Sequence, residues 1–207
     1  MNADELLERY GAGERFFHEI DFAGAHLRQA FLSGASFVCC SFKDANLVLA
    51  NLTYTNLTWA DPVNAHLVMA NLSGANVSEA NFSGARLTGA DMINACCEKT
   101  NFCDSKMIGV NCTGASFREA TFIEANLIAA CLDKTDLKKA NFAESKLRGA
   151  SLKNADLRGA IFCEADLRGA DLRGADFRGA NLEGANLDGA NDDGADFTGA
   201  IKFCIRV

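Results

Sequence analysis

The sequence contains one proline, one tryptophan, two tyrosines and three histidines in 207 residues, and no apolar run near the roughly 20 residues that a membrane span needs. It also lacks an excess of base. Twenty Lys and Arg face 27 Asp and Glu, a formal charge of −7, which argues against a domain devoted to nucleic-acid phosphates. No direct nucleic-acid binding and no membrane association are expected. The opening Met1-Asn2-Ala3-Asp4-Glu5 is acidic where a secretory signal is basic and then apolar, so a cytoplasmic location is expected. No phosphate loop, Cys-X-X-Cys pair or nucleophile elbow occurs, and no enzymatic activity, metal or cofactor is expected. Nine cysteines form an odd set with no leader before them, which favours reduced thiols over a disulfide scaffold.

What the sequence has is a period of five. From Phe22 in steps of five to Phe197 there are 36 central positions, of which 18 are Leu and 11 are Phe. Two residues before each centre, from Ile20 to Ala195, 28 of 36 are Ala. No insertion breaks the phase. Neither the 3.6 of a helix nor the 2 of a long strand fits this period, so the chain must bend every fifth residue. A short extended stretch points the small residue and the centre inward, with the residue between them facing out. The two remaining positions turn the corner. All sixteen glycines after Gly13 fall two after a centre, where a tight bend favours positive φ.

The phenylalanines decide how many walls close a coil. On a 20-residue, four-sided coil the 11 central Phe divide 7, 0, 0 and 4 among the columns; on a 15-residue, three-sided coil they scatter 4, 5 and 2. Four walls are therefore predicted. Phe22, Phe42, Phe82, Phe102, Phe122, Phe142 and Phe162 stack in one column, and Phe37, Phe117, Phe177 and Phe197 in a neighbouring one. About nine coils at roughly 4.8 Å each give a rod about 43 Å long.

The quintets Ala165-Asp166-Leu167-Arg168-Gly169, Ala170-Asp171-Leu172-Arg173-Gly174 and Ala180-Asn181-Leu182-Glu183-Gly184 resemble the Ala-(Asp/Asn)-Leu-X-X consensus of the pentapeptide-repeat family. The resemblance implies an all-β fold, a right-handed quadrilateral β-helix with a short N-terminal helical cap. The stretch from Asp4 to Phe16 resembles the cap of cyanobacterial members. The expected organisation is a cap over 1–19, the β-helix over 20–200 and a cap strand or tail over 201–207. Asn2 to Glu5 can start a helix whose Leu6, Leu7 and Tyr10 cover the first coil. At the other end Ile201, Phe203, Ile205 and Val207 alternate with polar residues and Cys204. That strand either caps the rod or pairs with a second copy as a homodimer.

The function expected is a rigid, non-enzymatic scaffold that binds an unidentified protein partner. Between residues 45 and 78 the only charged side chain is Asp61, and outward phases there carry Val48, Leu49, Tyr54, Trp59, Val63, Val68 and Met69. Val48, Leu49, Val68 and Met69 share a face that Ile108 and Ile128 continue. An apolar patch of this kind marks an interface. The competing explanation is that Pro62, at an inward centre, bulges its coil and the apolar residues pack the bulge.

Two other classes remain open. In the resembled family, acidic surfaces imitate duplex DNA and act on type II topoisomerases. Here the phase before the centre holds 9 Asp and 13 Asn, and Lys138, Arg158 and Arg178 stand two residues after Asp136, Asp156 and Asp176, both of which favour local turn stabilisation over mimicry. A metal or redox protein would use His26 and His66, about 9.6 Å apart on one face, or Cys96, Cys97 and Cys103; neither set has ligand spacing. Cys40, Cys97 and Cys112 fall at inward phases, where thiols pack as small apolar groups.

Overall fold

In the computed structural model, which describes residues 1–201, the chain winds into a four-sided tube preceded by one helix. Phe203, Ile205 and Val207, the rest of the strand expected to cap or dimerise the rod, lie outside the described residues. From Phe16 to Asn181 every fifth residue makes a parallel bridge to the residue 20 further on, with one gap at Asp61. That register is the 20-residue coil of four quintets. No wall is long enough to build an extended strand among the described residues; each contributes a single bridging residue per coil.

The rungs follow from the quintet. The centre's N–H donates to a carbonyl of the next coil (Phe42 N to Asp61 O, 3.0 Å), and the residue before it donates back to the previous coil (Ser41 N to Ile20 O, 3.0 Å). Each corner closes on itself when the small residue donates to the preceding centre, as from Ala45 N to Phe42 O at 3.0 Å. A four-residue turn with positive φ at its third residue has the type II signature. All sixteen corner glycines adopt positive φ, and so does every non-glycine corner, from Gln29 (59°) to Glu164 (58°). Val, Ile and Thr occupy none of these positions, in keeping with the steric cost of φ > 0 for branched side chains.

The lumen is filled by two residues per quintet, the centre and the small residue two before it. Phe122 stacks on Phe142 at 4.6 Å and Phe142 on Phe162 at 4.8 Å, with rings nearly parallel. Phe82 and Phe102 lie one above the other at 5.3 Å, and Phe177 sits 4.9 Å from Phe197 in the neighbouring column. Where Thr or Ser replaces the inward Ala, its hydroxyl donates to a carbonyl of the tube, as Thr55 to Leu52 O (2.7 Å) and Thr100 to Val77 O (2.8 Å). No buried hydroxyl there is left unpaired, which keeps the substitution inexpensive.

The solenoid begins one quintet before Phe22. Phe16 bridges to Ser36, and Phe17 is buried and stacked on Phe37 at 5.5 Å. Helix α1 (Ala3–Gly11) starts at Asn2, whose Oδ1 accepts from Glu5 N at 2.9 Å, and carries Asp4 and Glu5 in its first turn. Leu6 is fully buried against the first coil, and the Tyr10 hydroxyl donates to Ser33 O at 2.8 Å. Leu7, expected to share this covering role, is instead 38% exposed, because one helix buries only the stripe on which Leu6 and Tyr10 lie.

Pro62 does not bulge its coil. Its ring is buried, its carbonyl accepts from Ala65 N at 3.1 Å, and Asn64 keeps the usual corner φ of 56°. Only the rung needing its missing N–H is lost, which is the gap between Asp61 and Asn81. The φ that the proline ring fixes is compatible with the inward position, so proline here costs one hydrogen bond and no geometry. Packing of a bulge therefore does not account for the apolar stretch around it.

Two substitutions test these packing claims by denaturant unfolding. Phe142→Ala removes a ring stacked on both sides and is expected to cost about 3–5 kcal/mol. Pro62→Phe restores the missing rung within the Phe column and is expected to stabilise by about 1 kcal/mol; destabilisation would show that the coil is adapted to proline.

Candidate interaction surface

The two residues after each centre form the edges of the tube, and an edge recurs every 20 residues. One edge runs through Val48–Leu49, Val68–Met69, Thr88–Gly89, Ile108–Gly109 and Ile128–Ala129. Leu49 is 40% exposed, Met69 58% and Ile108 37%, while Val48, Val68 and Ile128 are half-buried. These six line one edge of the rod in two groups, Val48 to Met69 and Ile108 to Ile128, with Thr88–Gly89 between them and the Met69 side chain leaning over Gly89. Tyr54 stands on the next edge, Trp59 on the edge across the tube from Leu49, and Val63 on the fourth. The structure therefore joins six of the nine candidate residues and separates the other three, so Trp59 and Val68 cannot meet one flat partner face.

Leu49, Tyr54, Trp59 and Met69 all occupy corners with φ between 56° and 61°. A side chain held there costs about 1–2 kcal/mol relative to the ordinary basins, and glycine would remove that cost. Exposed apolar groups at strained positions contribute little to the core, which points to a role on the surface. Their direction follows from the corner geometry, since a corner side chain leans toward the next coil. Tyr54 lies over Gly74 and Met69 over Gly89: a Cβ added at Gly74 would meet the Tyr54 ring at 2.6 Å, and one added at Gly89 would meet the Met69 sulfur at 2.7 Å.

Two exposed aromatics were missed. Phe16 and Phe31 are 74% and 62% exposed at the bridging phase that Asn and Asp otherwise dominate. Their signal was apolar residues in an outward phase upstream of residue 45.

The Asn and Asp of the bridging phase hold the turns. Asn71 Oδ1 accepts from Ser73 N at 2.9 Å and Asn101 Oδ1 from Cys103 N at 3.0 Å, and Asp176 repeats the contact with Arg178 N at 3.1 Å. The acids are also neutralised. Lys138 bridges Asp136 and Asp156 at 2.9 and 2.8 Å, Arg158 clamps Asp156 with two bonds of 2.8 Å, and Arg178 pairs with Asp176 at 2.6 Å and Asp196 at 3.6 Å. With Arg118 reaching Asp136 at 3.3 Å, acid and base alternate along five coils. Hydrogen bonds from the arginines hold the Asp156, Asp166, Asp171 and Asp176 carboxyls below the usual carboxylate range.

Among the described residues no group of three or more His, Cys, Asp or Glu is placed to hold a metal ion, and no helix is long and apolar enough to cross a membrane. The eight described cysteines are free. Burial pushes the Cys40 thiol up to about 11 and raises Cys97 and Cys112 further, so these inward thiols stay protonated.

A family model described as pentapeptide repeats matches eight copies, over residues 17–53, 40–67, 70–107, 107–138, 136–179 and 175–201. Among solved structures, one similar chain is HetL, a pentapeptide repeat protein involved in heterocyst differentiation regulation in the cyanobacterium Nostoc sp. strain PCC 7120. It is 30% identical over 97% of this chain and 94% of that chain, with a TM-score of 0.47. QnrB1, a plasmid-mediated fluoroquinolone resistance protein, is 18% identical over 87% and 88%, with a TM-score of 0.49. A protein of the Arabidopsis thaliana thylakoid lumen is 30% identical over 51% and 66%, with a TM-score of 0.38. No curated protein matches the chain.

The ion ladder makes a signed prediction. Carboxyls whose folded pKa lies below the unfolded value near 3.9 add stability that is complete above about pH 4 and is lost as pH falls through the folded pKa. Thermal unfolding from pH 7 to pH 2 should show the midpoint falling below about pH 4. Asp156→Asn should flatten that fall, and about 1 M salt should shrink it because the pairs are largely exposed.

Proposed function

The chain belongs to the pentapeptide-repeat family, and from that premise we propose that it is a non-enzymatic protein-interaction scaffold, a right-handed quadrilateral β-helix that docks its partner along one edge. The observation that carries this is the apolar ridge of Val48, Leu49, Val68, Met69, Ile108 and Ile128, of which Leu49, Met69 and Ile108 are exposed and the others half-buried, on a tube whose backbone hydrogen bonds are already used internally. A surface fixed by rungs every 4.8 Å or so loses little conformational entropy on binding, so a modest apolar contact goes far. The cytoplasm is the compartment that suits its free thiols.

The alternative is a DNA-mimic that inhibits or protects a type II topoisomerase. It needs an uncompensated acidic path, and the alternating ladder from Arg118 to Asp196 counts against one on that side of the rod.

Affinity capture from the native extract tests the docking edge. Val68→Asp with Met69→Asp places two charges in the ridge, and aspartate tolerates the left-handed corner of Met69. Partner capture should fall at least about tenfold with circular dichroism unchanged. Trp59→Ala, on the opposite edge, should leave capture intact; the reverse pattern would move the site to Trp59. Inhibition of DNA supercoiling at micromolar protein would favour the topoisomerase alternative instead.

A further inference from the structure

The wall beside the ridge differs from the others in its charge. Its outward column reads His26, Asn46, His66, Arg86, Lys106, Asn126 and Lys146 before it reaches Asp166, which is bound by Arg168, and Asn186. Arg86, Lys106 and Lys146 are exposed, and among the described residues none reaches a carboxylate. Arg86 and Lys106 bridge each other on successive coils, so two like-charged residues stand on backbones about 4.8 Å apart along the rod. Like charges directly opposed across a ladder destabilise it. On the ladder side of the molecule, Arg118, Lys138, Arg158 and Arg178 all sit on acids. The protein thus neutralises one basic column internally and leaves another open beside its apolar ridge.

We propose that this wall and ridge bind an acidic segment of a partner protein, its carboxylates on Arg86, Lys106 and Lys146 and its apolar side chains along Val68, Ile108 and Ile128. The proposal rests on the docking edge put forward above and adds the chemistry of the occupant. About the in-plane twofold axis perpendicular to the rod, a second copy would set the basic column against itself. Broad anionic surfaces fit poorly too. The far edge of the same wall carries Asp104, Glu124, Glu144 and Glu164, only about 10 Å from the ridge, and would repel a membrane or a duplex lying across it. A single peptide segment is narrow enough to use the basic column and the ridge without meeting that acidic edge.

The test uses the full chain and a labelled peptide of about ten residues, long enough to pass Arg86 through Lys146. The peptide alternates glutamate with leucine and valine, and binding is read by fluorescence anisotropy. It should bind, a counterpart with lysine for glutamate should not, and raising salt from about 0.05 to 0.5 M should weaken binding strongly. Arg86→Glu with Lys106→Glu should weaken it at least about tenfold at unchanged circular dichroism. If that variant fails to fold, Arg86→Ser with Lys106→Ser serves, with a smaller loss expected. Absence of binding overturns the proposal, as does tighter binding of single-stranded DNA or of phosphatidylserine vesicles through the same residues. If charge reversal changes nothing while Val68→Asp with Met69→Asp abolishes binding, the acidic occupant is wrong and the docking edge stands. If neither variant matters, both fall.

Discussion

The positive-φ residue at every fifth position is the constraint from which the rest of this molecule follows. It lets a five-residue unit turn a right angle, and four such turns return the chain to a point one strand spacing along the axis. Only then can the N–H of one centre meet a carbonyl of the next coil and the rungs close. The constraint also explains the composition of the corners. Glycine takes the position at no steric cost, Asn and Asp tolerate it, and β-branched side chains are missing from it. The bridging Asn or Asp adds a second fastening by accepting from the N–H two residues on, across the start of the same corner.

Because each coil touches only its neighbours, stability is a sum of similar interfaces, and a local defect stays local. Pro62 illustrates this, since it deletes one rung and leaves the corner after it unchanged. The same property frees the outside. Once the lumen and the rungs are satisfied, outward residues answer to little but solvent, to each other and to partners. In one column the chain uses that freedom to interleave Asp with Lys and Arg. On another wall it leaves Arg86, Lys106 and Lys146 without an ion pair, beside a ridge of Val, Leu, Met and Ile.

The tube was legible in the sequence because its signal is periodic and chemically coarse. Phe82 over Phe102 and the inward thiols at Cys40, Cys97 and Cys112 follow from phase alone. The extra quintet at Phe17 was hidden because Arg15 stands where Ala belongs, and the phase persisted only in Phe17 itself. Proline's mildness at residue 62 was hidden for a different reason. Sequence reveals the missing donor but not whether the local φ already suits the ring. The candidate surface was legible as an unusual stretch and not as a patch. Leu49, Tyr54 and Trp59 are close in sequence, yet each stands a quarter turn from the last, and only residues one full coil apart become neighbours.

The account depends most directly on the register of four quintets to a coil, and disulfide trapping measures it. With the surface cysteines replaced by serine, Asn101→Cys with Thr121→Cys puts two thiols on bridged residues of adjacent coils, within the span a disulfide requires. Mild oxidation should crosslink that pair quickly and leave Asn101→Cys with Ser116→Cys, which stand three quintets apart, unlinked. Rapid crosslinking of the three-quintet pair in place of the four-quintet pair would mean three walls to a coil. Every column, edge and ridge described above would then be wrongly assigned.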